Sequence, residues 1–311
     1  MRLLICLLSL SLAACASAPT PPQCAVALMV LGAGQDGGRP QIAQPDDSAW
    51  RDPARRRMAA SLALIDTRGQ TRRWLFEATP DLRAQLQMLD QAYPAARPIG
   101  LDGIFLTHAH IGHYAGLMFL GHESAGAQGV TTYVMPRMAR FLSEHGPWSQ
   151  LVRRGNLALA PMADGQAQAL GEDISVTPFL APHRQEFSEV VGYRIEGPSR
   201  SAIFLPDIDS WEQWDEAGVR VEDVIASVEV AYLDATFYAD GEIPGRDMSG
   251  FPHPFITHSM ARFAALPASE RAKVRFIHLN HTNPAQLPGP ARDTGERAGM
   301  RDAAEGERAG L

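Results

Sequence analysis

Thr107-His108-Ala109-His110-Ile111-Gly112-His113 directly follows the apolar run Ile104-Phe105-Leu106. The run predicts a short buried strand, so the histidines are expected on the loop at its end, where functional residues commonly lie. His108 and His110 point the same way from an extended backbone, and His113 lies about one helical turn further on. Imidazole suits zinc and iron. The pattern therefore predicts a metal centre; hydrogen-bonded structural histidines are the alternative.

Strands dominate the rest of the chain. A helix is expected to begin at Thr79-Pro80-Asp81, where a capping threonine and a first-turn proline precede apolar residues at helical spacing. The tail, 299–311, is expected to be a closing hairpin turning at Glu305-Gly306, or a frayed end. This order suits two sheets packed face to face with helices outside, an α/β (α+β) architecture. Apolar runs predict strands at 25–31, 61–66, 72–76, 104–106, 174–180, 190–195, 202–205, 228–233 and 274–279, and helices at 113–121, 136–145 and 258–265.

The N-terminus has the layout of an export signal. Met1-Arg2 precedes an apolar run, 3–14, that is shorter than the roughly 20 residues of a membrane-spanning helix. Its end, Leu12-Ala13-Ala14-Cys15, resembles the lipobox of bacterial lipoproteins, in which the cysteine is lipidated. We therefore expect a signal peptide at 1–14, lipidated Cys15 with a stiff tether at 15–23, and one domain at 24–311. Ser17 in place of aspartate predicts a periplasm-facing outer-membrane lipoprotein; a plain secretory signal is the alternative.

Composition limits the partners. The net charge of −7 disfavours a broad nucleic-acid interface, which needs a surplus of basic residues. Cys6 would leave with the signal and Cys15 would be acylated, so Cys24 stands alone and no internal disulfide is predicted. The expected partners are a small-molecule substrate and, through the lipid only, a membrane. The oligomeric state stays open.

The histidine segment resembles the His-x-His-x-Asp-His signature of the metallo-β-lactamase-fold hydrolases. The resemblance implies a four-layered αβ/βα sandwich with its site at one edge of the two sheets. It also implies a first metal ion held by His108, His110 and His183, a bridging Asp207, and a second ion held by His113, His281 and Asp207.

Within that superfamily the chain is similar to the pyrroloquinoline-quinone biosynthesis protein B branch. The resemblance rests on three blocks, at 31–41, 79–86 and 278–284. The first is rich in glycine, which lets the backbone approach a ligand closely.

One position departs from the signature. Gly112 stands where the superfamily has an aspartate that ligates the second metal and orients the attacking water. Three outcomes are open: a single metal, a second metal with water filling the gap, or a weakened second site.

The predicted function is a metal-dependent hydrolase that binds one or two zinc ions and acts on an ester, amide or phosphodiester; iron is the alternative metal. A metal lowers the pKa of its bound water towards neutrality, which generates hydroxide at pH 7. Asp207 is the predicted proton acceptor, and His258 either protonates the leaving group or is a helix-capping or core residue. The alternatives are an Fe-dependent oxygenase, as suggested for the quinone-cofactor branch, and a non-catalytic metal-binding lipoprotein. Export argues against direct cofactor biosynthesis.

Overall fold

A computed structural model describes residues 24–311 and contains two seven-stranded sheets with helices on their outer faces. The predicted signal peptide, the lipidation at Cys15 and the tether lie outside the described residues. Within the described part of the chain, no helix has both the length and the hydropathy needed to cross a membrane.

Six strands of the first sheet come first along the chain, all seven strands of the second sheet follow, and the last strand returns to the first sheet. The helices are α1 (Leu82–Ala92), α2 (Ile111–Tyr114), α3 (Pro136–Glu144), α4 (Trp148–Arg153), α5 (Trp211–Glu216), α6 (Val221–Ala226), α7 (Ile256–Phe263), α8 (Ala268–Arg271) and α9 (Pro290–Arg297), with 3-10 turns at Ser48–Trp50, Pro53–Arg55, Ala115–Leu120 and Pro284–Gln286. The strands are β1 (Val26–Gly32), β2 (Ser61–Asp66), β3 (Arg72–Phe76), β4 (Gly103–Phe105), β5 (Val130–Val134), β6 (Leu157–Pro161), β7 (Gln168–Gly171), β8 (Ile174–Leu180), β9 (Val191–Glu196), β10 (Ser201–Leu205), β11 (Val230–Asp234), β12 (Val274–Ile277), β13 (Arg301–Asp302) and β14 (Arg308–Gly310).

Three apolar layers hold these elements together. Between the sheets, aromatic side chains of both pack together: the Phe76 ring stacks on Phe105 of the same sheet at 5.0 Å and lies tilted against Tyr193 of the second sheet at 5.6 Å, measured between ring centroids. A second layer packs the first sheet against α1–α4, and a third packs the second sheet against helices that include α5–α7. The result is the predicted four-layered αβ/βα sandwich, and the predicted fold class is confirmed.

Strand direction places the chemistry at one edge. The first sheet has the order β14-β1-β2-β3-β4-β5-β6 and the second the order β13-β12-β11-β10-β9-β8-β7. Each sheet contains parallel and antiparallel pairs. In the first sheet β1, β3 and β4 run parallel to one another. In the second sheet β8, β10, β11 and β12 run parallel to one another. Carboxyl ends of parallel strands meet at one edge of a sheet, where open α/β sheets bind ligands.

The C-terminal segment differs from the predicted hairpin. β13 pairs with β12 in the second sheet, whereas β14 pairs with β1 in the first. The turn before Glu307 is attached to β1 instead, through Gly306 N to Val30 O (2.8 Å) and Val30 N to Glu307 O (3.0 Å). The tail therefore connects the sheets rather than pairing with itself.

Eight further elements were not predicted: the strands β5, β6 and β7 and the helices α4, α5, α6, α8 and α9. Only Leu157 of β6 is fully buried, and α9 reads Pro-Ala-Arg-Asp-Thr-Gly-Glu-Arg, in which only Gly295 is buried. α9 lacks the apolar periodicity that sequence reasoning depends on, and β6, Leu-Ala-Leu-Ala-Pro, is a short apolar run without alternation, which does not distinguish a strand from a helix.

Candidate metal centre

Six histidines and two aspartates converge where the strands of both sheets end. His108 and His110 follow β4, and His113 lies in α2. The other members also follow strands of parallel direction: Asp36 after β1, His183 after β8, Asp207 after β10, His253 between β11 and α7, and His278 after β12.

The first group consists of His108, His110 and His183, whose ligand atoms lie within 4.8 Å of one another. His183 Nε2 is 3.3 Å from His110 Nδ1. Asp207 adjoins the group, with its Oδ1 3.7 Å from His183 Nε2 and its Oδ2 4.0 Å from His108 Nε2. The structure thus brings together the first four predicted ligands.

The second group consists of His113, His278 and Asp36. Asp207 reaches this group too, since its Oδ2 is 3.0 Å from His113 Nε2 and 3.5 Å from His278 Nε2. Asp207 therefore lies between the two groups and faces both.

The arrangement of the nitrogen and oxygen atoms suits binding of a cation better than hydrogen bonding between the side chains. His108 Nε2 and Asp207 Oδ2 are buried without a hydrogen-bond partner, even though His113 Nε2 lies only 3.0 Å from that oxygen. An unpaired buried polar atom costs about 1–3 kcal/mol. Lone pairs that converge on one point without bonding each other are the arrangement that a metal ion satisfies, and imidazole with carboxylate is a donor set for zinc or iron.

Two threonine hydroxyls fix which nitrogen of a histidine carries the proton. Thr107 Oγ1 donates to Glu77 Oε1, so it accepts from His108 Nδ1 at 2.8 Å. His108 Nε2 is left as a lone pair facing the cluster. Orientation of this kind raises the basicity of a histidine ligand.

The same device operates in the second group. Thr236 Oγ1 donates to Asp234 Oδ1 (2.8 Å) and accepts from His278 Nδ1 (2.9 Å), which leaves His278 Nε2 free to ligate.

Carboxylates hold the remaining rings directly. His183 Nδ1 donates to Asp209 Oδ1 at 2.7 Å, and His110 Nε2 lies 3.1 Å from Glu186 Oε2. His253 Nδ1 donates to Asp234 Oδ2 at 2.7 Å. These are the outer-shell partners that metal-binding histidines commonly have.

The charge states of His108 and Asp207 suit ligation. Burial and the neighbouring His113 hold the pKa of His108 well below its ordinary value. Burial alone would raise the pKa of Asp207, but His278 and His113 outweigh it and hold that pKa well below the usual range. Neutral imidazole and ionised carboxylate are the forms that bind metals.

Backbone strain marks two residues of the centre. Glu77 and His278 are buried and have φ values of 76° and 66°. Residues other than glycine rarely adopt this left-handed backbone conformation, and such backbone strain often occurs at functional sites. Here it turns the Glu77 carboxylate towards Thr107 and His113 and the His278 ring towards Asp207.

Two predicted site residues lie elsewhere. His278, not His281, completes the second group; the structure does not bring His281 into either group. His258 is 58 % exposed and pairs with Asp240, with 2.8 Å between His258 Nε2 and Asp240 Oδ2. Its place on the exposed side of α7 keeps it out of the cluster.

Asp36 and His253 were not among the predicted site residues. His253 is buried, with its ring centroid 5.5 Å from that of His183 and 5.8 Å from that of His278. Its position between two prolines gave no signal of burial. Asp36 follows two glycines of the first resemblance block, and that Gly-rich loop was the available signal.

A cavity of about 390 Å³ adjoins the cluster through Asp209 and His253. His258 and Asp240 lie on its wall, as do the aromatic rings of Phe251 and Phe255. Larger cavities of about 590 and 650 Å³ are lined by other residues, none of them in the cluster. The smaller cavity is therefore the candidate substrate site.

Comparison with known proteins identifies the family. The family model for the beta-lactamase superfamily domain matches residues 72–300. The chain belongs to this superfamily. The match covers the strands and loops that supply every residue of the centre except Asp36.

Curated relatives of this superfamily member are proteins of coenzyme synthesis. Coenzyme PQQ synthesis protein B of Bradyrhizobium diazoefficiens is 25 % identical over 90 % of this chain and 97 % of its own length. The Rhizobium meliloti protein of the same name is 26 % identical over 88 % and 94 %. The predicted similarity to that branch is confirmed at the level of homologues.

Solved structures share the fold. Zn²⁺-bound PqqB from Methylobacterium extorquens has a TM-score of 0.75 at 22 % identity and covers 92 % of this chain and 100 % of its own. A diphosphatase from the PhnP family has a TM-score of 0.62 at 21 % identity, covering 91 % and 96 %. At these identities the likeness shows the metallo-β-lactamase fold alone.

The location predicted from the N-terminus, a periplasm-facing outer-membrane lipoprotein, is wrong. The relatives that match along 88–90 % of the chain are named as coenzyme synthesis proteins, which does not fit an exported outer-membrane lipoprotein. The argument against a role in cofactor biosynthesis depended on export, so it no longer holds.

Proposed function

We propose that this superfamily member is a metal-dependent hydrolase with a dinuclear centre, loaded with zinc. The observation that carries the proposal is the position of Asp207, whose carboxylate faces the nitrogens of both groups while one of its oxygens has no hydrogen-bond partner. A carboxylate shared between two histidine groups suits two adjacent cations.

Each residue of the centre has a specific role in this proposal. His108, His110 and His183 would hold one ion, His113 and His278 the other, and Asp207 both. Bound zinc supplies Lewis acidity, which lowers the pKa of water and polarises a substrate oxygen. The threonine and carboxylate partners hold each ring in its ligating tautomer, so little reorganisation is needed.

His253 replaces His258 as the candidate for contacting the substrate. It lies between the cluster and the cavity, and its Nδ1 donates to Asp234 Oδ2 at 2.7 Å. That bond leaves Nε2 to exchange a hydrogen bond or a proton with a group in the cavity. Asp207, which was predicted to accept a proton, has both oxygens directed at histidine nitrogens and acts in this proposal as a shared ligand.

The cavity favours an ester or amide over a phosphodiester. Within residues 24–311 its lining includes the carboxylates Asp209, Glu212 and Asp240 and a single guanidinium, Arg262. Arg262 is already paired with Glu222 at 2.7 Å and Asp215 at 2.8 Å. An anionic phosphodiester would meet like charges here, whereas a neutral or cationic substrate would not.

Zinc-reconstituted protein tests the proposal on two chromogenic substrates, p-nitrophenyl acetate and bis(p-nitrophenyl) phosphate. We expect ester turnover that falls by on the order of 100-fold or more in His183→Ala, because the first ion loses a ligand. His281→Ala, a histidine outside both groups, is the matched control and should retain wild-type turnover. Equal rates for wild type and His183→Ala would contradict metal-dependent hydrolysis, and a preference for the phosphate would contradict the substrate class.

The match to coenzyme synthesis proteins along nearly their whole length favours a second candidate, an Fe-dependent oxygenase. Histidine with carboxylate also holds Fe(II). Metal analysis of protein purified without added metal, combined with oxygen-consumption measurements, distinguishes the two. Predominant iron with oxygen uptake supports the oxygenase, and predominant zinc without uptake supports the hydrolase.

A further inference from the structure

The space beside Gly112 is filled from another element. A Cβ added at Gly112 would lie 2.5 Å from Asp36 Cγ and 2.6 Å from Asp36 Cα. Non-bonded carbon atoms do not approach so closely, since their optimal separation is about 3.5–4.0 Å. The absent side chain at 112 has therefore not left a gap, because the loop after β1 passes through the region that it would occupy.

The Asp36 carboxylate faces the nitrogens of the second group. Its Oδ1 is 3.1 Å from His113 Nε2 and 3.3 Å from His278 Nε2. His278 Nδ1 donates to Thr236, so His278 Nε2 presents a lone pair to this oxygen. A lone pair facing a carboxylate oxygen is unfavourable unless a proton or a cation lies between them.

Backbone hydrogen bonds hold Asp36 against the second sheet. A turn closed by Gly38 N and Gln35 O at 2.6 Å places Asp36 at its second position. Gln35 N donates to Leu279 O at 2.8 Å, and Leu279 N donates to Ala33 O at 2.9 Å. The loop is thus bonded to the residue that follows His278, which fixes the carboxylate relative to that ring.

We infer that Asp36 is a ligand of the second metal ion. From the loop after β1 it replaces the aspartate that the superfamily signature has at position 112. This deepens the proposed function and rests on it. The competing interpretation is that Asp36 only hydrogen-bonds to His113 and His278 and that one ion binds at the first group.

Metal stoichiometry provides the first test. The full chain is stripped with a chelator, reloaded with zinc, dialysed and analysed for zinc per chain. We expect two ions in wild type and one in Asp36→Ala, with affinity for the second ion reduced by more than the roughly 10–100-fold that loss of an outer-shell partner costs. Asp46→Ala changes an exposed aspartate of the same loop and should retain two ions.

A ligand exchange provides the second test, with a readout independent of activity. In Asp36→Cys loaded with Co²⁺, a thiolate at the second site would produce thiolate-to-cobalt charge-transfer absorption, since cysteine is a ligand for such metals. Asp46→Cys should show only the wild-type spectrum, which also accounts for the exposed Cys24. Absence of the band in a folded, cobalt-loaded Asp36→Cys would overturn the inference.

Gly112→Asp, which adds a carboxylate instead of removing one, also distinguishes Asp36 as a metal ligand from Asp36 as a hydrogen-bond partner only. If position 112 were merely vacant, the new carboxylate would strengthen the second site. Because its Cβ would meet Asp36, we expect zinc per chain to fall or stay unchanged, and a rise would contradict the inference. Two ions in Asp36→Ala, or one in wild type, would overturn the role of Asp36 but leave a metalloenzyme. No zinc in wild type would instead overturn the proposed function itself.

Discussion

At the residue scale, hydroxyl groups orient the ligands. Thr236 is buried, and its hydroxyl connects Asp234 to His278. We predict that Thr236→Val, which keeps the shape but removes the hydroxyl, lowers affinity for the second ion by about 10–100-fold, because His278 loses the partner that sets its tautomer. Chelator-competition titration with zinc measures the change.

Two controls accompany the Thr236 variant. Thr236→Ser keeps the hydroxyl and should bind zinc as wild type does. Thr132→Val removes another buried hydroxyl, one that donates to Val130 O at 3.2 Å away from the centre, and should also leave zinc binding unchanged. Equal affinities in the Val and Ser variants at 236 would show that the hydroxyl does not position the ring.

The residues that sequence reasoning located share a local signal. His108, His110 and His113 form one short motif next to a strand, so spacing alone brought them together. The segment His278-Leu279-Asn280-His281 offers two histidines after β12, and sequence cannot choose between them. The choice depends on the left-handed backbone of His278, with φ 66°, which turns that ring inward. Histidine is enriched among the few non-glycine residues with positive φ, but that preference is too weak to choose between two neighbouring histidines.

At the scale of elements, the end of β1 must approach β2 very closely. Pairing is irregular between Val30 and Gly32, and a Cβ at Gly32 would overlap the carbonyl oxygen of Ala59. We predict that Gly32→Ala destabilises the fold by about 1–3 kcal/mol, the usual cost of overpacking. Gly69→Ala, in an open turn with nothing within 4 Å, should change stability by less than about 0.5 kcal/mol. Urea unfolding compares the two; similar midpoints would contradict the close approach.

The turn between β13 and β14 contains a carboxyl group sensitive to pH. Burial raises the pKa of Glu305 to about 7, although Met58 N–H and Arg57 partly oppose the shift. The folded state therefore holds a proton that the unfolded state releases near pH 4.3, so this group's stabilisation is complete below that pH and is lost as pH rises through about 7.

Glu305→Gln removes this titration while keeping an oxygen to accept from Met58 N. We predict a flatter dependence of the free energy of unfolding on pH between about 4.5 and 7, measured by urea unfolding at several pH values. Glu216→Gln, an exposed residue at the end of α5, should leave the slope unchanged. An unaltered slope in Glu305→Gln would show that Glu305 does not carry the proton.

At the scale of the whole molecule, the centre joins the two sheets. Its ligands come from β1, β4 and α2 on one side and from β8, β10 and β12 on the other. We predict that chelation lowers the melting temperature by several degrees, since one ion at 100 times its Kd adds about 2.7 kcal/mol to stability. Calorimetry with and without zinc tests this. His108→Ala should show a smaller shift, and an equal shift would place the binding elsewhere.

Most of the architecture could be predicted because apolar runs identify strands and a local motif identifies the family. β6 and α9 could not, because β6 is a short apolar run without alternation and α9 is polar with no apolar period. Asp36 could not because 242 residues separate it from His278, and only the folded sheets bring the two together. The space beside Gly112 is likewise a property of packing between distant loops.

The tail that bridges the sheets also sets an order of events during synthesis. β1 leaves the ribosome early, whereas its outer neighbour β14, at Arg308–Gly310, is synthesised long after it. His278 emerges late as well. At about 5–20 residues per second, the nascent chain waits many seconds with an unpaired first strand and an incomplete set of ligands. The full set of ligands is therefore present only once His278 has been synthesised, and the outer edge of β1 needs protection until β14 pairs with it.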